Sequence, residues 1–279
     1  MKIDLAKSAG FCFGVKRAID TALKAASLYN NIYMLGDIVH NEDVVRQIEG
    51  AGIKRVNALR EGRGRILLIR AHGCALSIMQ KARHKGYKII DATCPMVKEI
   101  HRIAGKMEKR GYKIILIGDK NHDEVKGILG HLKRKAVLIE DARHIHLNAI
   151  KKIRRACIVT QSTQNMDKVL NIVEILHRRI KKVEFFNTIC HPTRIRQEEI
   201  KKMPLKNDVM IIIGSRSSAN TKRLYEISKS LNKRSYWVNS TQQIRREWFG
   251  KAKTVGITAG ASTPNATTQA VIRHIKRIT

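Results

Sequence analysis

The chain has 279 residues, 43% of them hydrophobic, and a formal net charge of +32 from 55 Lys and Arg against 23 Asp and Glu. That is enough apolar material for substantial cores, and it excludes a disordered basic tail. The longest apolar runs, such as Val209–Ile213, fall far short of a bilayer span, and the start of the chain carries Lys2, Asp4 and Lys7 without an apolar core, so a cytoplasmic protein with no secretory signal is expected.

In chain order, the first feature is Cys12-Phe13-Gly14-Val15-Lys16-Arg17, ahead of a stretch in which Val15, Ala18, Ile19, Ala22 and Leu23 share one helical face. A buried-type strand follows, Tyr33-Met34-Leu35, closed by Gly36, with His40 just beyond. A further apolar strand runs from Leu67 into Arg70-Ala71-His72-Gly73. The chain then repeats itself. Cys94-Pro95-Met96-Val97-Lys98 opens a second helix striped by Val97, Ile100, Ala104 and Met107; Ile115-Leu116-Ile117 ends in Gly118, with His122 beyond; Ile158-Val159-Thr160 runs into Gln161-Ser162-Thr163. A third round begins at Cys190-His191-Pro192-Thr193-Arg194, with a weaker helix that must end before Pro204. Ile211-Ile212-Ile213 then ends in Gly214, Ser218 follows, and Val255–Ala259 runs into Gly260-Ala261-Ser262. Pro95 and Pro192 sit where a first helical turn tolerates proline.

Each Gly lies 24 residues after its Cys, at 12 and 36, 94 and 118, 190 and 214. Three identical spacings with matched neighbours mark a triplication. Short apolar strands alternating with helices imply βαβ units and small parallel sheets. The expected fold is therefore α/β, with three related small lobes at residues 1–93, 94–189 and 190–279. Ligands of open α/β sheets bind at the carboxyl ends of strands. Lobes packed with pseudo-threefold symmetry would bring Cys12, Cys94 and Cys190 to the centre and ring them with the polar loop residues.

Three equivalent thiols have few uses. Disulfides would leave one over, and a structural zinc site normally wants four ligands in close sequence pairs. A [4Fe–4S] cluster accepts thiolates from distant loops, and three of them leave one iron without a protein ligand, open to substrate as a Lewis acid. A helix N-terminus beside each Cys favours the thiolate. Cys74 and Cys157 have no counterpart in the repeat and read as small buried hydrophobes.

The polar landmarks are His40, His72, His122, Ser218, Asn220 and Ser262, with the hydroxyls of Ser162 and Thr163. Imidazoles, hydroxyls, amides and Gly-flanked backbone N–H groups make an anion site, and phosphate or diphosphate is its natural guest. Glu124, the acid next to them, suits proton delivery, whereas Asp123 reads as an acid drawn to a helix N-terminus. The basic stretches lie beside apolar runs and read as solvated faces, and an aromatic content of 5% offers no stacking platform for single strands. Neither a nucleic acid nor a membrane is the expected partner.

Gly10-Phe11-Cys12-Phe13-Gly14-Val15, Val39-His40-Asn41, Arg70-Ala71-His72-Gly73, Asp91-Ala92-Thr93-Cys94-Pro95, His122-Asp123-Glu124-Val125, Thr160-Gln161-Ser162-Thr163, Asn187-Thr188-Ile189-Cys190 and Thr258-Ala259-Gly260-Ala261-Ser262 together give the chain a close similarity to one family. Over nearly its whole length it resembles the 4-hydroxy-3-methylbut-2-enyl diphosphate reductases, which complete the non-mevalonate isoprenoid pathway. The resemblance implies three α/β lobes around a central [4Fe–4S] cluster held by Cys12, Cys94 and Cys190. It implies a two-electron, two-proton removal of a hydroxyl from an allylic diphosphate, giving isopentenyl and dimethylallyl diphosphate, with an electron donor such as ferredoxin or flavodoxin. His40, His72, His122, Ser218, Asn220 and Ser262 match the diphosphate contacts, and Glu124 matches the proton-relay acid.

Three positions depart from the family pattern. Ser162 stands where Thr is usual, keeping the relay hydroxyl. Ala219 stands where many members have Ser, leaving only its backbone N–H to meet phosphate. His191-Pro192 follows Cys190 where smaller or aromatic residues and then Ala are common. Two other readings stay open on the sequence: a quinolinate-synthase-like [4Fe–4S] dehydratase, which needs no reductant, and a basic nucleic-acid-binding protein.

Overall fold

Strand β1 (Lys2–Leu5) leads through Cys12 into α1 (Phe13–Leu28), followed by β2 (Ile32–Leu35), α2 (Glu42–Gly50), β3 (Lys54–Val56), β4 (Ile66–Ile69), α3 (Leu76–His84) and β5 (Lys88–Asp91). After Cys94 come α4 (Pro95–Lys109), β6 (Lys113–Ile117), α5 (Asp123–Leu129), β7 (Val137–Ile139), α6 (Leu147–Lys151), β8 (Arg155–Thr160), α7 (Met166–His177) and β9 (Lys182–Phe185). After Cys190 come α8 (His191–Lys202), β10 (Val209–Ile213), α9 (Ala219–Leu231), β11 (Ser235–Val238), β12 (Thr254–Ala259) and α10 (Asn265–Ile278). This computed structural model describes residues 1–279, the side chain of Ala149 excepted. Among the described residues no helix is long and apolar enough to cross a membrane.

The strands form three four-stranded sheets, ordered β3-β2-β4-β5, β7-β6-β8-β9 and β11-β10-β12-β1. Every pairing is parallel. In each sheet the strand that precedes a repeat cysteine is an edge strand: β5 before Cys94, β9 before Cys190 and β1 before Cys12. One expectation changes here. Residues 2–5, placed by the sequence in a first lobe of residues 1–93, pair instead with β12, Ile3 opposite Val255 and Leu5 opposite Ile257. The first strand of the chain completes the third sheet.

Packing divides the chain into two compact units. One comprises Met1–Lys16, Val39–Gln47 and His191–Thr279 and contains the sheet with β1; the other comprises Arg17–Ile38 and Ile48–Cys190 and contains the two other sheets.

The central strands read as unbroken apolar runs because both faces are covered by helices. In β10, Ile211 and Ile213 pack with Val271 and Ile275 of α10 on one face, while Met210 and Ile212 pack with Leu224 and Ile227 of α9 on the other. In β6, Ile115 and Ile117 meet Val169, Ile172 and Leu176 of α7, while Ile114 and Leu116 meet Ile100, Ala104 and Met107 of α4. Each fully buried side chain of this kind contributes roughly 1.5–3 kcal/mol. The third repeat helix, α8, ends at Lys202, and Pro204 follows within a single 3-10 turn.

The glycines that close β2, β6 and β10 answer to close approach. A Cβ at Gly36 would lie 2.6 Å from Arg70 Nη1, at Gly118 2.7 Å from Val125 Cγ2, and at Gly214 2.6 Å from Thr221 Oγ1. Those three turns release the chain into the loops that carry His40, His122 and Ser218.

Candidate active site

The three repeat cysteines share one local geometry. Each immediately precedes the first residue of a helix, Phe13, Pro95 or His191. Each backbone N–H donates to a loop carbonyl that follows a central strand: Cys12 to Ala261 at 3.1 Å, Cys94 to Ala71 at 3.0 Å and Cys190 to Ser162 at 3.0 Å. The acceptors are themselves equivalent in the repeat, so one lock recurs three times. Val15 N–H also points at Cys12 Sγ, 3.4 Å away. All three thiols are partly exposed. Cys74 and Cys157 differ: burial, helped by the nearby carboxylates of Asp91 and Glu184, pushes their thiols up to about 11 and about 12.

In the second unit, His122 caps α5. Its Nδ1 accepts the N–H of Glu124 at 3.2 Å, which leaves the imidazole proton on Nε2 as an outward donor. His72 meets it edge-on, with ring centroids 5.4 Å apart. The turn that delivers His72 needs Gly73, whose φ is +72° and whose place admits no side chain without crowding Thr93 and His101 at 3.1 Å. Asp123, as expected of a helix-start acid, lies against Arg70 at 2.7 Å.

Glu124 is 2% exposed. Its Oε1 accepts the Ser162 N–H at 2.6 Å and its Oε2 accepts the Ser162 hydroxyl at 2.7 Å. Burial pushes its carboxyl up to about 7, against the pull of those two hydrogen bonds. Beside Ser162, Gln161 is fully buried and ties the loop together, accepting from Asp119 N–H at 2.9 Å and donating to Thr163 Oγ1 at 3.0 Å.

In the first unit, Ser218 caps α9, its Oγ accepting the N–H and hydroxyl of Thr221 at 3.3 and 3.0 Å. Ala219 and Asn220 form the first turn of that helix, where backbone N–H groups have no intrahelical acceptor. Asn220 is 4% exposed, and its Nδ2 has no hydrogen-bond partner within the protein. Ser262 Oγ donates to the backbone carbonyl of His40 at 3.1 Å, so these two predicted residues adjoin. The predicted site residues thus form two sets. His40, Ser218, Ala219, Asn220 and Ser262 belong to the first unit with Cys12; His72, His122, Glu124 and Ser162 belong to the second with Cys94 and Cys190.

Sequence reasoning passed over Arg196. It is 4% exposed on α8 and donates from Nη2 to Gly10 O at 2.6 Å, bracing the approach to Cys12. A base on a helix face otherwise turned inward is the only sign of it in the sequence.

Comparison with known proteins agrees with this geometry. The chain is 40% identical over 280 residues to 4-hydroxy-3-methylbut-2-enyl diphosphate reductase of Aquifex aeolicus (strain VF5), covering 99% of this chain and 96% of that protein. It is 38% identical over 281 residues to the reductase of Campylobacter lari, covering 100% and 99%. Among solved structures it is similar to (E)-4-hydroxy-3-methyl-but-2-enyl diphosphate reductase, the terminal enzyme of the non-mevalonate pathway, with a TM-score of 0.72 and 39% identity over 99% of this chain and 100% of that one. The E-1-hydroxy-2-methyl-but-2-enyl-4-diphosphate reductase of Plasmodium falciparum aligns with a TM-score of 0.91 and 32% identity over 98% of this chain and 87% of that one. A family model described as LytB protein matches residues 3–276, and the chain belongs to that family.

Proposed function

We propose that this chain reduces 4-hydroxy-3-methylbut-2-enyl diphosphate to isopentenyl and dimethylallyl diphosphate, on a [4Fe–4S] cluster held by Cys12, Cys94 and Cys190. The observation that carries the proposal is the repeated lock at the three cysteines, each at a helix start with its amide tied to a loop carbonyl. The donor set fits the group. Three thiols at helix N-termini favour thiolate and an anionic cluster, the repeat supplies no fourth, and the other two cysteines are held as thiols by burial. Such a cluster supplies two electrons and an iron open to the substrate oxygen.

The protein's own groups do the rest. Donors from His40, His72 and His122 Nε2, from Ser218, Asn220 Nδ2 and Ser262, and from the Ala219 N–H bind the diphosphate oxygens. Asn220 Nδ2 is a buried donor that such an anion would satisfy. Near neutral pH, Glu124 holds a proton. Because Oε1 is engaged by a backbone N–H, that proton sits on Oε2, against the Ser162 hydroxyl. Ser162 can accept it and pass its own proton to the substrate. Two electrons and two protons enter; the hydroxyl leaves as water, and the allylic skeleton takes the second proton.

The full-length likeness to reductases supports this reading over a dehydratase or a nucleic-acid binder. The test is anaerobic turnover: purified protein, a strong reductant and the hydroxylated diphosphate should yield both five-carbon diphosphates. Recovery of unchanged substrate from iron-loaded protein would overturn it.

A further inference from the structure

The repeat breaks at one place. Cys94 is followed by a partly buried proline and Cys190 by a histidine, but Cys12 is followed by Phe13, which is 69% exposed. Phe11, on its other side, is 37% exposed. Large apolar side chains are seldom left so open beside a functional residue without a use. The neighbouring surface is continuous with them. Helix α8 is fastened to the Lys7–Gly10 segment by Arg196 on Gly10 O at 2.6 Å and by Glu199, whose carboxylate accepts the N–H groups of Lys7 at 2.6 Å and Ser8 at 3.1 Å. That helix exposes Ile195 at 40%. Lys2, Lys7, Lys16 and Lys202 are exposed on these two segments, where Asp4 and Glu198 are the exposed acids.

We infer that Phe11, Phe13 and Ile195, with the lysines around them, form the docking face for the electron donor, an acidic one-electron carrier protein that visits twice per turnover. The inference rests on the reductase reading above, since only a reductase needs such a visitor. Charge complementarity selects the partner: a chain of net charge +32 attracts an acidic protein and repels a second copy of itself. An aromatic centre with a basic rim suits the small, transient interfaces of electron carriers. Position selects the entry point. Consecutive Cα atoms lie about 3.8 Å apart, so Phe13 offers the shortest covalent route from the surface to the Cys12 sulfur.

The test uses iron-loaded protein and, as probe, an acidic plant-type ferredoxin. Phe13→Ser and Lys16→Glu should each weaken its binding, read by titration without substrate, about tenfold. Each should raise the KM for ferredoxin in parallel while leaving turnover with dithionite-reduced methyl viologen unchanged. Leu170→Ser, at a 50% exposed residue on α7, should change neither. Should Phe13→Ser lose iron, Lys16→Glu and Ile195→Ser carry the same expectations. Unchanged ferredoxin binding in iron-replete variants would overturn the inference, as would a wild-type dimer that Phe13→Ser dissolves. Wild-type protein that binds ferredoxin at this face but turns over with neither donor would instead sink the reductase reading.

Discussion

Ser162 holds both carboxyl oxygens of Glu124, its N–H on Oε1 at 2.6 Å and its hydroxyl on Oε2 at 2.7 Å. Burial raises the Glu124 carboxyl while Ser162 lowers it, and the balance leaves it at about 7, where an acid can both hold and release a proton at working pH. Glu124→Gln preserves shape and both hydrogen bonds but removes the proton. It should retain iron and diphosphate binding and lose turnover by roughly a hundredfold or more. Single-turnover assays beside an iron determination check this, and wild-type turnover would remove Glu124 from the chemistry.

The same carboxyl links stability to pH. Its folded value of about 7 lies above the ordinary 4.5, so the stability it contributes is fully present below 4.5 and lost as pH rises to about 7. The loss is on the order of 3 kcal/mol. Denaturant melts across that window should fall with pH in the wild type and flatten in Glu124→Gln.

Ser162→Ala deletes one of the two hydrogen bonds that lower the Glu124 carboxyl. The alkaline limb of the pH–rate profile should therefore move to higher pH while kcat drops. Ser162→Thr restores the hydroxyl and should stay within a few-fold of wild type. A Thr variant as poor as the Ala variant would show that the side chain's shape, and not its hydroxyl, is what matters.

The first turn of α9 separates folding from binding. Ser218→Ala removes the cap and should cost about 1 kcal/mol of stability as well as diphosphate affinity. Ala219→Ser adds a hydroxyl next to it and should tighten diphosphate binding by up to about tenfold with little change in melting temperature. Isothermal titration with inorganic diphosphate, paired with thermal melts, distinguishes the two.

Much of this arrangement was legible because short-range chemistry repeats. The three cysteines stand out by spacing, and each does begin a helix; the strand-closing glycines stand out because a side chain would strike a neighbour at 2.6 or 2.7 Å. What stayed hidden is long-range. Lys2–Leu5 is too short to announce that its partner is Thr254–Ala259. Arg196 meets Gly10 across 186 residues. Equal spacing also made His40, His122 and Ser218 look alike. His122 and Ser218 cap their helices, but at the first repeat Asn41 takes that role, its Oδ1 accepting from Val44 N–H at 3.1 Å. His40 lies one residue earlier, and its carbonyl is bound by Ser262.

Cysteine substitutions should sort the five thiols into two kinds. Cys94→Ser should lose iron and colour. Cys157→Ala, at a fully buried position packed among Ile114, Leu116 and Val159, should keep the iron and lose only on the order of 1 kcal/mol of stability. Iron retained in Cys94→Ser would contradict the assignment of that thiol.

The most direct test is Mössbauer spectroscopy of anaerobically prepared, iron-57-labelled protein, with and without 4-hydroxy-3-methylbut-2-enyl diphosphate. The account predicts a [4Fe–4S] spectrum in which one iron site alone shifts when the substrate binds. A spectrum in which substrate leaves every iron unchanged, or an active preparation without iron, would contradict it.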